Sequence, residues 1–393
     1  MPCPIYILDG GLGTSLEDEY GVNFSSSATP LWSSHVILSD PAKLKQCQAD
    51  FAACPVDILT TATYQLSVEG LSRTKTEEFP DGLPEDKIEQ MVDTAVEVTL
   101  DAVRSRGHSR PALAATDEGQ DQEGNSTVPF PVPAIALSFG PYGASMVPST
   151  EYSGNYDADG LSTPLLAEWH SHRIELFLRS ARARAVPRFW AFETIPRHEE
   201  VLALRRVLDH RMLEESKGED GIGKTNGKED SGVHPHTWIS CIFPPTAASV
   251  DGTPCLPDGT SAFDAACYML SRSHGATRPW GIGINCTKIM HVSALVRAYA
   301  DAATHLVATG ELDAWPALVL YPDGTNGEVY NTSTRAWEAS KERDGEREHW
   351  EVQLANIVKM AVQEGQWEAV VVGGCCKASH RDIRRLAEVL KKD

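Results

Sequence analysis

The residues best suited to chemistry are three cysteines placed at the ends of apolar runs. Val370-Val371-Val372 leads into Gly373-Gly374-Cys375-Cys376, and Trp280-Gly281-Ile282-Gly283-Ile284-Asn285 leads into Cys286. Neighbouring side chains on a strand point to opposite faces, so Cys375 and Cys376 can share a site only where the backbone turns. Gly373 and Gly374 suit such a turn, because glycine tolerates a positive φ. Three thiolates from two strand ends make three corners of a tetrahedral zinc site with the fourth corner open, the pattern of a catalytic rather than a structural zinc. A vicinal disulfide or redox couple is the competing reading of Cys375-Cys376, although Cys-x-x-Cys is the commoner redox spacing. Cys3, Cys47, Cys54, Cys241, Cys255 and Cys267 read as small core hydrophobes.

Further polar residues fall just after apolar runs. Asp9 follows the first, Thr61 the second, Ser138 the third and Glu193 the fourth, and Asn285 immediately precedes Cys286. Thr61, Ser138 and Asn285 are candidates for substrate binding alongside Asp9 and Glu193. The sequence leaves open whether Asp9 merely caps a helix and Glu193 merely pairs with a surface arginine. His170 and His172 face different ways on a helix, and His198-Glu199-Glu200 lacks the second histidine of a His-Glu-x-x-His zinc motif. Neither a Gly-x-Ser-x-Gly elbow nor a Walker loop occurs.

The elements that must position these groups alternate along the chain. Apolar runs predict strands at 4–8, 56–61, 132–138, 188–192, 237–243, 280–285, 317–321 and 369–372. Helical patterns fall at 17–20, 41–53, 85–106, 164–185, 198–215, 262–273, 292–309, 349–364 and 379–391. Strand–helix alternation implies parallel strands with crossover helices, and eight such units predict a (β/α)8 TIM barrel. The fold is typically about 250 residues and longer with insertions; here polar stretches near 116–128 and 216–236 read as surface insertions within a single domain spanning 1–393. A doubly wound open sheet is the rival, but Gly10-Gly11-Leu12-Gly13 lacks the dinucleotide-binding spacing. In a barrel, the polar residues after the strands all lie on the catalytic face.

Bulk properties narrow the partners. The net charge is -20 with no basic stripe, which disfavours nucleic acid and anionic membranes. Nine cysteines, an odd number dispersed over 393 residues, argue against a disulfide framework and for a reducing, cytoplasmic setting. No signal peptide is expected, and no run of about 18 apolar residues suggests a membrane span.

Taken together and in order, Asp9-Gly10-Gly11, Ser138-Phe139-Gly140-Pro141-Tyr142-Gly143, Glu151-Tyr152-x-Gly154-x-Tyr156, Phe192-Glu193-Thr194, Gly283-Ile284-Asn285-Cys286 and Gly373-Gly374-Cys375-Cys376 resemble the homocysteine S-methyltransferases. The resemblance covers most of the chain. It implies a (β/α)8 barrel, Zn²⁺ on Cys286, Cys375 and Cys376, and a homocysteine ammonium held by Asp9 and Glu193. It also implies methyl transfer from a sulfonium donor to the homocysteine thiol, giving methionine. The Gly-Pro-Tyr-Gly and Glu-Tyr-x-Gly-x-Tyr runs are more similar to the branch using S-methylmethionine or S-adenosylmethionine than to the betaine-dependent one. Tyr142, Tyr152 and Tyr156 then offer aromatic faces to a cationic donor, with Tyr321 as a further donor-side candidate. The run Tyr321-Pro322-Asp323-Gly324 departs from the family's Tyr-Pro-Asn-x-Gly. A betaine- or selenocysteine-type thiol or selenol methyltransferase and a non-catalytic zinc- or thiol-responsive barrel are the alternatives. The sequence does not give the oligomeric state.

Overall fold

The computed structural model describes residues 3–25, 29–105, 132–156, 161–219, 235–248, 252–325, 329–331, 336–338 and 348–391, with side chains of 212–219, 329–331 and 336–338 left aside. Eight parallel strands form one sheet: β1 (Ile5–Ile7), β2 (Ile58–Thr60), β3 (Ala134–Phe139), β4 (Phe189–Ile195), β5 (His236–Cys241), β6 (Gly281–Asn285), β7 (Ala317–Tyr321) and β8 (Val370–Val372). Consecutive strands are neighbours from β2 through β8, and β8 lies between β7 and β1. The ring closes between β1 and β2. Leu8 bridges Ile58, Asp57 N donates to Ile7 O at 2.7 Å, and the Asp57 carboxylate accepts from Ile7 N at 2.9 Å. This is the expected (β/α)8 barrel.

The crossover helices are α1 (Pro41–Ala52), α2 (Lys87–Ser105), α3 (Thr163–Phe177), α4 (His198–Glu219), α5 (Ala262–Leu270), α6 (Ile289–Ala308), α7 (Trp350–Glu364) and α8 (His380–Lys391). Their starts are chemically marked. Asp40 accepts from Lys43 N at 2.9 Å with Pro41 in the first turn of α1, and Ser261 accepts from Asp264 N at 3.0 Å in α5. Among the described residues, no helix is long and apolar enough to cross a membrane.

Strand alternation sorts the side chains into two cores. Leu137, Phe139, Trp190, Phe192, Ile282, Ile284, Leu318, Leu320, Val370 and Val372 pack outward under the helices. Ala134, Ala136, Phe189, Ala191, Trp238, Val319, Tyr321 and Val371 fill the barrel interior. Continuing the inward phase by two residues reaches Ser138 on β3 and Glu193 on β4. The same alternation puts Gly281, Gly283 and Asn285 on the inward phase of β6. A Cβ on Gly283 would lie 2.1 Å from Ser240 Oγ, so glycine there makes room for its neighbours in the interior.

Several boundaries differ from the sequence expectation. The first helical segment is Leu12–Asp18 rather than 17–20, and the helix expected over 164–185 breaks after Phe177, with Ser180 capping a second segment, Ala181–Ala185. Helix α4 runs to Glu219, so the expected insertion at 216–236 begins as helix and ends on β5. The long loop after β7 carries an antiparallel pair, Val329–Asn331 with Ala336–Glu338. The insertion expected at 116–128 lies outside the described residues.

Candidate metal centre and substrate cleft

At the C-terminal mouth of the barrel, the Sγ atoms of Cys286, Cys375 and Cys376 all lie within 4.8 Å of one another. Ligands about 2.3 Å from a tetrahedral zinc have sulfurs separated by about 3.8 Å, so the cluster has the spacing and the soft donor set for this metal. The thiols also interact directly. Hydrogen bonds from Cys286 and Cys375 hold the Cys376 thiol well below its ordinary value, whereas hydrogen bonding to the other two sulfurs and burial raise Cys375.

Gly373 and Gly374 serve a different purpose from the one expected. Neither has a positive φ. A Cβ on Gly373 would lie 2.5 Å from Asp9 O, and one on Gly374 would lie 2.2 Å from Ala378 Cβ. Gly373 therefore lets the end of β8 press against the end of β1, and Gly374 lets the cysteine loop fold back on Ala378. The left-handed turn comes later, at Lys377 (φ 63°). Lys377 N donates to Thr14 Oγ1 at 2.8 Å, and its Nζ lies 2.7 Å from Asp18 Oδ2, which fastens the cysteine loop to helix Leu12–Asp18.

Cys286 is itself left-handed (φ 48°), as is Thr194 (φ 61°) beside it at a register shift in β4. Such residues cost on the order of 1–3 kcal/mol each and persist where their surroundings hold them. The holder is Asn285. Its Oδ1 accepts from Thr194 N at 2.8 Å, and its Nδ2 donates to Thr194 Oγ1 at 2.8 Å and reaches Cys286 Sγ at 3.4 Å. Thr194 Oγ1 also approaches Cys286 Sγ, at 3.8 Å. Asn285, expected to contact substrate, is fully buried and orients a cysteine instead. Asn285→Ala leaves the Thr194 amide unpaired, which costs about 1–3 kcal/mol. The variant is expected to show a lower thermal midpoint and a roughly 10- to 100-fold loss of metal affinity, read by calorimetry and chelator competition.

The thiols open on a cleft that Asp9, Thr61, Ser138, Glu193, Tyr152 and Tyr321 also line. Asp9 accepts from Thr60 N at 2.7 Å and Thr60 Oγ1 at 3.0 Å; burial pushes its carboxyl up to about 7 against those bonds. Glu193 accepts from Ser138 Oγ and from the Tyr321 hydroxyl, yet burial, with the Asp9 charge adding to it, pushes it up to about 8. Thr61 Oγ1 lies 2.7 Å from Thr63 Oγ1 and accepts from Ser138 N at 3.2 Å, so it braces the wall it lines. Tyr152 places its hydroxyl 3.6 Å from Cys376 Sγ.

Tyr142 and Tyr156 are not among the residues lining the cleft. Their rings meet edge-on at 5.3 Å, the Tyr156 hydroxyl donates to Glu200, and Tyr142 N donates to Glu200 Oε1 at 2.7 Å. His170 Nε2 reaches the same carboxylate at 2.8 Å. This knot anchors the loop bearing Glu151 and Tyr152, and it leaves Tyr142 and Tyr156, both expected on the donor side, outside the cleft lining. Sequence reasoning missed Trp32, Tyr64, Gln65 and Glu151 in the lining. Tyr64, Gln65 and Glu151 come from loops and Trp32 from a single 3-10 turn, where no periodicity marks the inward residues; the Glu151-Tyr152 run was the one available signal.

A thiol cluster at the mouth of a (β/α)8 barrel, sharing a cleft with two buried carboxyls, is a candidate soft-metal site at the catalytic face of a barrel. The sequence model of the family "Homocysteine S-methyltransferase" matches residues 6–390, and the chain belongs to that family. It is 26% identical over 387 residues to the homocysteine S-methyltransferase YbgG of Bacillus subtilis (strain 168), covering 98% of this chain and 94% of that one. It is 24% identical over 384 residues to the selenocysteine methyltransferase of Astragalus bisulcatus, covering 98% and 92%. The metallated form of the homocysteine methyltransferase MmuM from Escherichia coli shares the fold, with a TM-score of 0.61 at 22% identity over 99% of this chain and 96% of that one.

Proposed function

We propose that the protein transfers a methyl group from a sulfonium donor, S-methylmethionine or S-adenosylmethionine, to the thiol of homocysteine, with Zn²⁺ on Cys286, Cys375 and Cys376. The observation that carries this reading is the meeting of three cysteine sulfurs within 4.8 Å at a cleft shared with Asp9 and Glu193. Zinc held there would supply Lewis acidity, lowering the pKa of a fourth thiol from about 8.5 so that it reacts as thiolate near neutral pH. The homocysteine sulfur forms a bond to the methyl carbon as the donor's sulfonium bond breaks. The bonding pair leaves on a neutral thioether, and the thiol proton goes to solvent. Little other proton traffic is needed, so alignment by the cleft can account for much of the rate, up to roughly 7–11 kcal/mol in favourable cases.

Asp9 and Glu193 hold the homocysteine ammonium through charge-assisted hydrogen bonds, with Ser138 and Tyr321 fixing the Glu193 carboxyl. Glu151 lines the same cleft and adds to its negative potential. Trp32, Tyr64 and Tyr152 present aromatic surface to it, which suits a sulfonium cation. The test is methionine formation from homocysteine with S-methylmethionine, S-adenosylmethionine and betaine supplied in turn. Activity with betaine alone would replace the donor assignment, and zinc binding with no transfer from any of them would leave a non-catalytic metal barrel. The named activity of the Astragalus relative makes selenocysteine the second acceptor to assay.

The raised carboxyls give a pH dependence of definite sign. With Asp9 near 7 and Glu193 near 8, the empty cleft is largely protonated at lower pH, and an ammonium binds only as those protons leave. Affinity for methionine, which has no thiol to titrate, is therefore expected to rise roughly tenfold or more between about pH 6 and pH 8, with proton release. Calorimetry in buffers of different ionisation enthalpy checks both; flat affinity without proton release contradicts the assignment.

A further inference from the structure

The first residues of the loop after β7, Pro322 to Thr325, join the two halves of the thiol cluster. Asp323 N donates to Thr287 O at 3.1 Å, one residue beyond Cys286. Gly324 N donates to Cys376 O at 2.7 Å, and Cys375 N donates to Pro322 O at 2.8 Å. On its other side, Trp350 Nε1 donates to Asp323 O at 2.8 Å. The loop has no room to shift inward, because a Cβ on Gly324 would lie 2.7 Å from Ala378 N.

Within this joint sits an ion pair. Lys288 Nζ is 3.1 Å from Asp323 Oδ2, with side chains only 13% and 9% exposed. Thr325 Oγ1 donates to Asp323 Oδ1 at 2.8 Å and accepts from Lys288 Nζ. A pair this buried is a poor source of stability, since desolvation offsets most of the attraction and a well-packed apolar pair does as well or better. What it does supply is a directional link. One member stands two residues after Cys286, and the other stands in the loop whose backbone grips Cys375 and Cys376.

We propose that Lys288 and Asp323 are a positioning pair for the thiol cluster, setting the separation between Cys286 and the Cys375-Cys376 loop and thereby the affinity of the three sulfurs for a divalent metal. The proposal rests on the reading of that cluster as a metal site.

The test uses the full chain, stripped and reloaded with Zn²⁺ or Co²⁺. Zinc affinity is read by competition with a chromophoric chelator, and thiolate geometry by the Co²⁺ charge-transfer band; Cys286→Ser is the reference without a complete site. Lys288→Met is expected to weaken zinc binding roughly 10- to 100-fold and shift the cobalt band. Asp323→Asn is expected to lose less, and Lys288→Met/Asp323→Asn to stay well below wild type, because the directional link is still missing although no carboxylate is then stranded. A role in packing alone lowers the thermal midpoint while leaving affinity and spectrum unchanged. Wild-type zinc affinity and spectrum in Lys288→Met, or in Lys288→Met/Asp323→Asn, overturns the proposal. If Lys288→Met does not fold, Lys288→Gln makes the same comparison, and wild-type affinity there overturns it equally. A wild-type protein that takes up no more zinc than Cys286→Ser removes the metal reading itself, and the pair's role with it.

Discussion

Replacing Cys286 with serine is expected to remove both tightly bound zinc and methyl transfer. Serine is nearly isosteric, so the fold around β6 survives and the change is confined to donor chemistry. A hydroxyl is a harder and far less acidic ligand than a thiol, and two sulfurs do not hold the metal as three do. Zinc content after gel filtration should fall from near one per chain to a small fraction. Methyl transfer loses the Lewis-acid contribution of several kcal/mol, a fall of roughly 10³-fold or more in kcat/KM. Metal analysis and a methionine assay on one preparation check this. Retained activity in Cys286→Ser, or in a metal-free wild-type protein, contradicts the assignment. Thiol counting with and without reductant separates it from a redox role for Cys375 and Cys376, in which Cys286 would be dispensable.

The second large effect is expected at Glu193, where stability and binding move in opposite directions. Burial raises this carboxyl from 4.5 to about 8 in the folded protein. A folded pKa above the unfolded one means that the group's stabilising share is complete below about 4.5 and lost as pH rises through 8, because the unfolded chain sheds the proton first. At pH above 8 the empty site thus carries a net penalty on the order of a few kcal/mol. Glu193→Gln keeps the acceptor for Ser138 and removes the charge. The ligand-free variant should melt several degrees above wild type near pH 8.5 and at about the wild-type temperature near pH 5. Homocysteine binding should weaken roughly 10- to 150-fold, the cost of a lost charged hydrogen bond at 1.5–3 kcal/mol. Zinc stays in place. Equal melting at both pH values, or an unchanged KM, contradicts the account.

The barrel was legible because its strands are buried on both faces and read as short continuous apolar runs. The cysteines were legible because two adjacent thiols after two glycines have little use as packing. The geometry that joins them was not. Thr194 and Cys286 adopt left-handed backbone without being glycine, and their support comes from Asn285 across the strand boundary, a contact that no local pattern encodes. Tyr142 and Tyr156 look like aromatic ligands for a cation in a motif, yet Glu200 on the outer helix α4, 44 residues after Tyr156, takes the Tyr156 hydroxyl and the Tyr142 backbone amide. The glycines at 373 and 374 were read for their conformational freedom, whereas their value lies in the absence of a side chain, at 373 where two strand ends touch and at 374 where the loop packs on Ala378.

The seam at β8 has a consequence for biosynthesis. This strand slots between β1 and β7, so the first and last segments of the polypeptide are neighbours in the finished ring. A chain emerging from the ribosome exposes Asp9 and Cys286 long before Cys375 and Cys376 appear. If the three sulfurs hold zinc as proposed, loading awaits insertion of β8, and a nascent chain arrested before that point should recruit no zinc at this centre.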